Sequence, residues 1–294
     1  MEFRTVQTSG CTLDEMSSGG LRVLISRKGA EMVSLSRNET GFLYRDGEAG
    51  RPASGWANHA TVMGYFVHRL WNEQSAYRGK TLCGGTHGFL RHFDFDEPER
   101  LADGLAYHVP AGRVPEGAYP LRVGLVLSYR ILKGSLRIDF SFWNEEPDIE
   151  AHVSFGLHPG FAVSPEAKVI LPAGTYVRHF APGNFLDGTS EVFEFPGGEF
   201  PYPKRDLPGS FLLGIEGVPV RQFLLEDAGR SVALDFSEAP YATFWSDSDQ
   251  FLCIEPCWGL PDSNPPAPFE KKAGIQTIPP GGQIRRGFSI TPHL

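Results

Sequence analysis

The sequence predicts a mainly β protein built as a large antiparallel β-sandwich. Apolar and polar residues alternate wherever a pattern can be read, and no stretch longer than about ten residues shows helical periodicity with caps at both ends. In addition, 34 glycines and 24 prolines supply turn signals throughout.

The alternation is clearest in Leu121, Val123, Leu125, Leu127, Tyr129 and Ile131, which share one face of a strand. After the tight Lys133-Gly134 connection, Leu136, Ile138, Phe140 and Phe142 make a second such face, so the two segments form an antiparallel hairpin. Val232, Leu234 and Phe236, and later Phe288 with Ile290, repeat the rule in shorter pieces. Many strands without helices to cover a parallel sheet imply antiparallel sheets packed face to face or curled on themselves, leaving one concave face.

A chain of 294 residues has room for two domains, but its Pro/Gly-rich stretches are short and strands resume after each. We therefore expect one domain over residues 1–294. The net charge of −8 is spread without a basic block, which argues against nucleic acid or an anionic membrane as partner and favours a small neutral or weakly charged ligand. The first residues, Met1 to Asp14, lack the apolar core of a signal peptide, and no run approaches the roughly 20 apolar residues of a membrane span. A cytoplasmic location is expected. Cys11, Cys83, Cys253 and Cys257 are irregularly spaced and read as reduced thiols, the Cys253–Cys257 spacing being weak support for a metal. Exposed edge strands of such sheets leave room for a homodimer.

Two segments place an ionisable residue directly before proline. In Phe155-Gly-Leu-His158-Pro-Gly-Phe161, Val153, Phe155 and Leu157 share the apolar face, while His152, Ser154, Gly156 and His158 point to the other. In Phe251-Leu-Cys-Ile-Glu255-Pro256, Phe251, Cys253 and Glu255 share a face. Because proline gives no ladder hydrogen bond, both strands are expected to end there, with an imidazole and a carboxylate at the rim as candidate acid and base. His87, in Gly84-Gly-Thr-His87-Gly-Phe-Leu-Arg91, is either a turn residue or a ligand contact that glycines let approach closely. Arg69 falls in the otherwise apolar Tyr65-Phe-Val-His68-Arg69-Leu70, where it needs a carboxylate or a ligand. Loops 196–208 and 259–268 are long, and the second follows Glu255 closely enough to wall a pocket.

The order of these motifs resembles the aldose 1-epimerases, or galactose mutarotases, with their hexose phosphate epimerase relatives. The resemblance runs from Gly29-Ala-Glu31 through Trp56, Arg69, His87-Gly88 with Arg91, Asn144, His158-Pro159 and Glu255-Pro256 to Lys271 or Lys272 before Gly274. It implies a β-supersandwich with a sugar across an open sheet face, Glu255 as general base, His158 as general acid, and His87 and Arg69 as polar contacts. The chain departs from the pattern at Cys257 before Trp258 and at Gly160 between Pro159 and Phe161.

The chemistry stands beside the resemblance. Interconverting anomers needs one group to take the C1 hydroxyl proton and another to protonate the ring oxygen, and requires neither metal nor organic cofactor. A neighbouring carboxylate is expected to favour the imidazolium of His158. Trp258, Phe161 and Trp71 are each either a platform under the sugar or core. Asp262 accepts a sugar hydroxyl or caps its loop, and Arg69 and Arg91 suit a phosphorylated sugar. Two other readings compete: a sugar-binding or sensory protein without turnover, and a metal site of His87, His158 and Glu255.

Overall fold

The computed structural model describes residues 1–8, 10–47, 55–115, 117–201 and 210–294. Among them the strands form sheets of nine, eight and five members and a two-stranded ribbon, all pairings within these sheets being antiparallel. The helical segments among the described residues are short 3-10 turns, such as Trp71–Glu73 and Leu90–His92. None is long and apolar enough to cross a membrane.

The predicted hairpin is present as Val123–Leu132 and Ser135–Asn144 at the centre of the nine-stranded sheet. Lys133 and Gly134 both take left-handed φ angles, 50° and 82°, the twist that a two-residue hairpin turn requires. Phe140 and Phe142 from this hairpin meet Phe155 of the eight-stranded sheet at ring distances of 5.0 and 4.8 Å. That contact is the centre of the sandwich. One continuous set of buried apolar side chains runs from Met16 in the five-stranded sheet to Ile290 near the end. Burial of such a set is the main stabilising term of the fold.

The eight-stranded sheet carries the two strands of interest side by side, Ala151–Ala162 and Phe251–Trp258, flanked by Ala60–Tyr65 on one side and Tyr241–Trp245 on the other. Both run through their prolines, so neither His158 nor Glu255 ends a strand as expected. The reason lies in the pairing. Gly160 gives its N–H to His59 on the Ala60–Tyr65 side, so the alternation turns Pro159 toward the Phe251–Trp258 strand. Between the Gly156–Cys257 and Gly160–Cys253 pairs both prolines lack an N–H, and the ladder is interrupted locally instead of terminated. Of the two long loops, residues 202–208 of the first lie outside the described residues. The second runs over the outer face of the eight-stranded sheet and buries Leu260, Pro261 and Asp262.

Candidate active site

His158 and Glu255 stand midway between the Gly156–Cys257 and Gly160–Cys253 pairs, so they oppose each other across the two strands. Thr61 pairs with His158 from one side and Thr243 with Glu255 from the other, which sets the four residues in one row across the sheet. Phe155 and Leu157 face the core, and His158 therefore faces away from it. His158 Nε2 lies 3.3 Å from Glu255 Oε1. Both side chains line a cavity of about 240 Å³ on the outer face of the sheet.

Burial dominates the electrostatics of the pair. It pushes the Glu255 carboxyl well above its ordinary value and lowers the His158 imidazole to about 3. The expectation of an imidazolium favoured by its neighbour is thus corrected, because desolvation dominates at His158 and pushes Glu255 itself toward the neutral carboxyl. Each group prefers its neutral form, so the pair holds a single proton, with Glu255 able to donate it to Nε2. Glu255 Oε2 and His158 Nδ1 are buried without a hydrogen-bond partner among the described residues.

His87 enters the cavity from a left-handed turn, φ 68°, followed by Gly88 at φ 73°. A side chain at Gly88 would come within 2.3 Å of the Gly64 carbonyl oxygen, so glycine is required there. The backbone N–H of His68 donates to His87 Nδ1 at 3.1 Å, and His87 in turn gives its own N–H to the His68 carbonyl at 2.7 Å. This fixes the neutral tautomer: Nε2 of His87 holds the proton and is a donor. Burial, helped by the charges of His158 and His68, keeps His87 well below its ordinary value, and burial lowers His68 to about 4. His87 and His158 meet edge to face at 5.2 Å.

The other expected residues divide. Arg69 and Arg91 both line the cavity, and Arg91 reaches Asn58 Oδ1 at 3.3 Å. Arg69 is exposed and follows the strand Ala60–Tyr65, so it is not a desolvated cation within a strand. Trp258 is not a platform: it is 1% exposed, stacks on Phe155 at 5.0 Å and donates its indole N–H to the Glu238 carbonyl. Phe161 is likewise core, and Trp71 packs against Phe185 beside the cavity.

Asp262 also stands outside the cavity lining, where it is a tie between loops. Its Oδ1 pairs with Lys272 Nζ at 2.5 Å and its Oδ2 accepts the Trp71 N–H at 3.1 Å. Its backbone N–H binds the Arg69 carbonyl, and its carbonyl takes the Leu186 N–H. Through it the segments bearing Arg69, Asn184 and Pro261 are held around the site.

The aromatic walls are Trp56 and Trp245, with rings 5.7 and 5.5 Å from that of His158. Trp245 had a signal in the sequence, standing two places after Thr243 on a short alternating strand. Trp56 comes from irregular backbone and had none beyond the resemblance. Gly160, one of the departures, makes room for it, since a Cβ there would lie 2.3 Å from the Trp56 ring.

Of the metal readings, His87 does not join His158 and Glu255; among the described residues the atoms that come together are those of His158, Cys253 and Glu255, and Cys257 is not with them.

Comparison with known proteins follows this geometry. A galactose mutarotase related enzyme from Lactobacillus acidophilus shares 24% identity and superposes with a TM-score of 0.85, covering 96% of this chain and 97% of its own. A galactose mutarotase-like protein from Lactobacillus casei gives 20% identity and a TM-score of 0.79, covering 96% of this chain and all 100% of its own. Galactose 1-epimerase from Lactobacillus acidophilus gives 10% identity and a TM-score of 0.69, over 99% and 98% of the two chains. At these identities the likeness shows the fold alone. No functionally curated sequence matches the chain. Residues 14–291 match the aldose 1-epimerase family, and the chain belongs to it.

Proposed function

We propose that the protein interconverts the α and β anomers of a hexose or hexose phosphate by acid/base ring opening. The observation that carries this reading is the 3.3 Å contact of His158 Nε2 with Glu255 Oε1 at the floor of a cavity lined by tryptophans, histidines and arginines.

The pair holds one proton and two basic sites, which is the count the reaction needs. Transfer across the contact gives a carboxylate and an imidazolium. Glu255 then takes the proton of the C1 hydroxyl while His158 delivers one to the ring oxygen. The bond between C1 and the ring oxygen breaks, the C1 oxygen becomes an aldehyde, and rotation about C1–C2 presents its other face. Closure reverses each transfer, so the protein returns to its starting state with no net gain of protons or electrons. His87 Nε2–H and the two arginines supply donors to sugar hydroxyls or to a phosphate. Trp56 and Trp245 supply the flat apolar surface.

Saturation-transfer NMR on a panel of pure aldoses and their phosphates tests the reading. Enzyme-dependent exchange between anomeric signals is the expected result, and absence of exchange in every sugar sinks it.

A further inference from the structure

Behind the acid and the base stands a third ligating atom. Cys253 lies two places before Glu255 on the same strand and the same face, opposite Gly160, which sends no side chain over it. One donor atom each from His158, Cys253 and Glu255 falls within 4.8 Å of the other two, and all three residues are buried. The other buried thiol of this strand, Cys257, is engaged by the Thr243 hydroxyl at 3.6 Å.

The spacing suits a tetrahedral ion. Ligand bonds of about 2.0–2.1 Å at a tetrahedral angle put a nitrogen and an oxygen about 3.4 Å apart, and His158 Nε2 and Glu255 Oε1 already lie at 3.3 Å. A zinc–sulfur bond of about 2.3 Å places the thiolate about 3.6 Å from each, so a shift of the sulfur by about 1 Å closes the set. Glu255 Oε2 adds a second observation, since it is buried with no hydrogen-bond partner among the described residues. The cavity reaches His158 and Glu255 and gives an ion its way in. Magnesium and calcium call for six or more oxygen ligands, whereas one thiolate, one imidazole and one carboxylate with an open fourth place is a zinc set.

The surrounding charges act in both directions. Burial keeps the Cys253 thiol and the Glu255 carboxyl protonated. Binding therefore expels two protons to solvent, the one shared by the acid/base pair and that of the thiol, and zinc with a carboxylate, a thiolate and a neutral imidazole is electrically neutral. Asp247 acts on Cys253 with the sign that favours a cation. Arg69 and Arg91 on the cavity wall oppose one. His158 Nδ1 lacks, among the described residues, the outer partner that tightens a resident zinc site. With these terms opposed, zinc visits the site and is not held permanently.

We propose that His158, Cys253 and Glu255 bind a zinc ion reversibly, and that the ion switches the protein off by displacing the proton on which acid/base exchange depends. The binding stands on the three ligands alone, and the inhibition rests on the proposed function.

Titration of the intact, chelator-treated protein tests this with Zn²⁺ and with Co²⁺, whose four-coordinate thiolate complexes absorb visible light. The parent carries Cys11→Ser and Cys83→Ser, which remove the two thiols that are not buried. Co²⁺ should give thiolate absorption at one ion per chain with a Kd below about 50 µM. Zn²⁺ should displace it, and Cys253→Ala should abolish it. On a sugar that the parent exchanges, saturating Zn²⁺ should slow anomer exchange by about 100-fold or more, and EDTA should restore it. Cys253→Ala should exchange near the parent rate without zinc and need about 10-fold or more zinc for the same inhibition. Absence of thiolate absorption in the parent overturns the site whether or not the alanine variant folds. Absorption that survives loss of Cys253, or exchange undiminished by bound zinc, overturns the proposal as well. A thiolate complex in a protein that exchanges no sugar would strike the proposed reaction and not the metal site.

Discussion

His158 Nε2 and Glu255 Oε1 lie 3.3 Å apart on neighbouring antiparallel strands, and burial moves their proton affinities in opposite directions. With the imidazole lowered to about 3, a second proton enters the pair only in strong acid. The single-proton state therefore persists below the ordinary histidine value of 6.5. We predict that kcat/KM for anomer exchange stays flat as pH falls from 6.5 to 4.5. A steady decline through that range would show a histidine titrating normally.

Stability should respond to pH in the other sense. His68, His87 and His158 all have folded values below 6.5, so their contribution is present at neutral pH and is lost as the unfolded chain takes up protons below 6.5. Each is worth up to about 2 kcal/mol between pH 7 and pH 5. Glu255, raised by burial, pulls the opposite way over the same range. Three groups against one predict a lower urea midpoint at pH 5 than at pH 7. A midpoint that is equal or higher at pH 5 contradicts the burial of the three rings.

Gly160→Ala tests the wall of the pocket. The new methyl would lie 2.3 and 2.5 Å from atoms of the Trp56 ring, which also stacks on Phe251 at 4.5 Å and cannot move freely. Trp56 should be displaced from its place beside His158. We expect KM to rise about 10-fold and stability to fall by about 1–3 kcal/mol, read by exchange kinetics and urea unfolding. An unchanged KM would show that Trp56 does not bear on the sugar.

Lys272→Met should be costlier than its position far from the reacting groups suggests. It leaves the Asp262 carboxylate, 1% exposed, without its cation, at a cost of about 3–5 kcal/mol. The double variant Asp262→Asn with Lys272→Met removes the unpaired charge and keeps an acceptor for the Trp71 N–H, and should recover most of that loss. If the double variant is no more stable than Lys272→Met, the pair is not the tie between the Arg69 and Leu186 segments.

The parts of this molecule that were legible in the sequence are those governed by local rules. Alternation and a tight connection made the Lys133-Gly134 hairpin readable, and the two-residue period put His158 on the face away from Phe155. What escaped depends on partners distant along the chain. Pro159 and Pro256 look like strand ends until their opposed positions in one interrupted ladder are known. Trp258 and Asp262, near Glu255 in sequence, turn inward because Phe155 and Lys272 await them there. Trp56 reaches His158 through space that only the absence of a side chain at Gly160 leaves open.

The most direct measurement is saturation-transfer NMR of anomer exchange with the wild-type protein and with Glu255→Gln and His158→Asn, each checked for native folding. On a sugar that the wild type exchanges, each substitution should slow exchange by about 100-fold or more, since it removes one of two groups that must act together. Exchange at the wild-type rate in either folded variant would contradict the account.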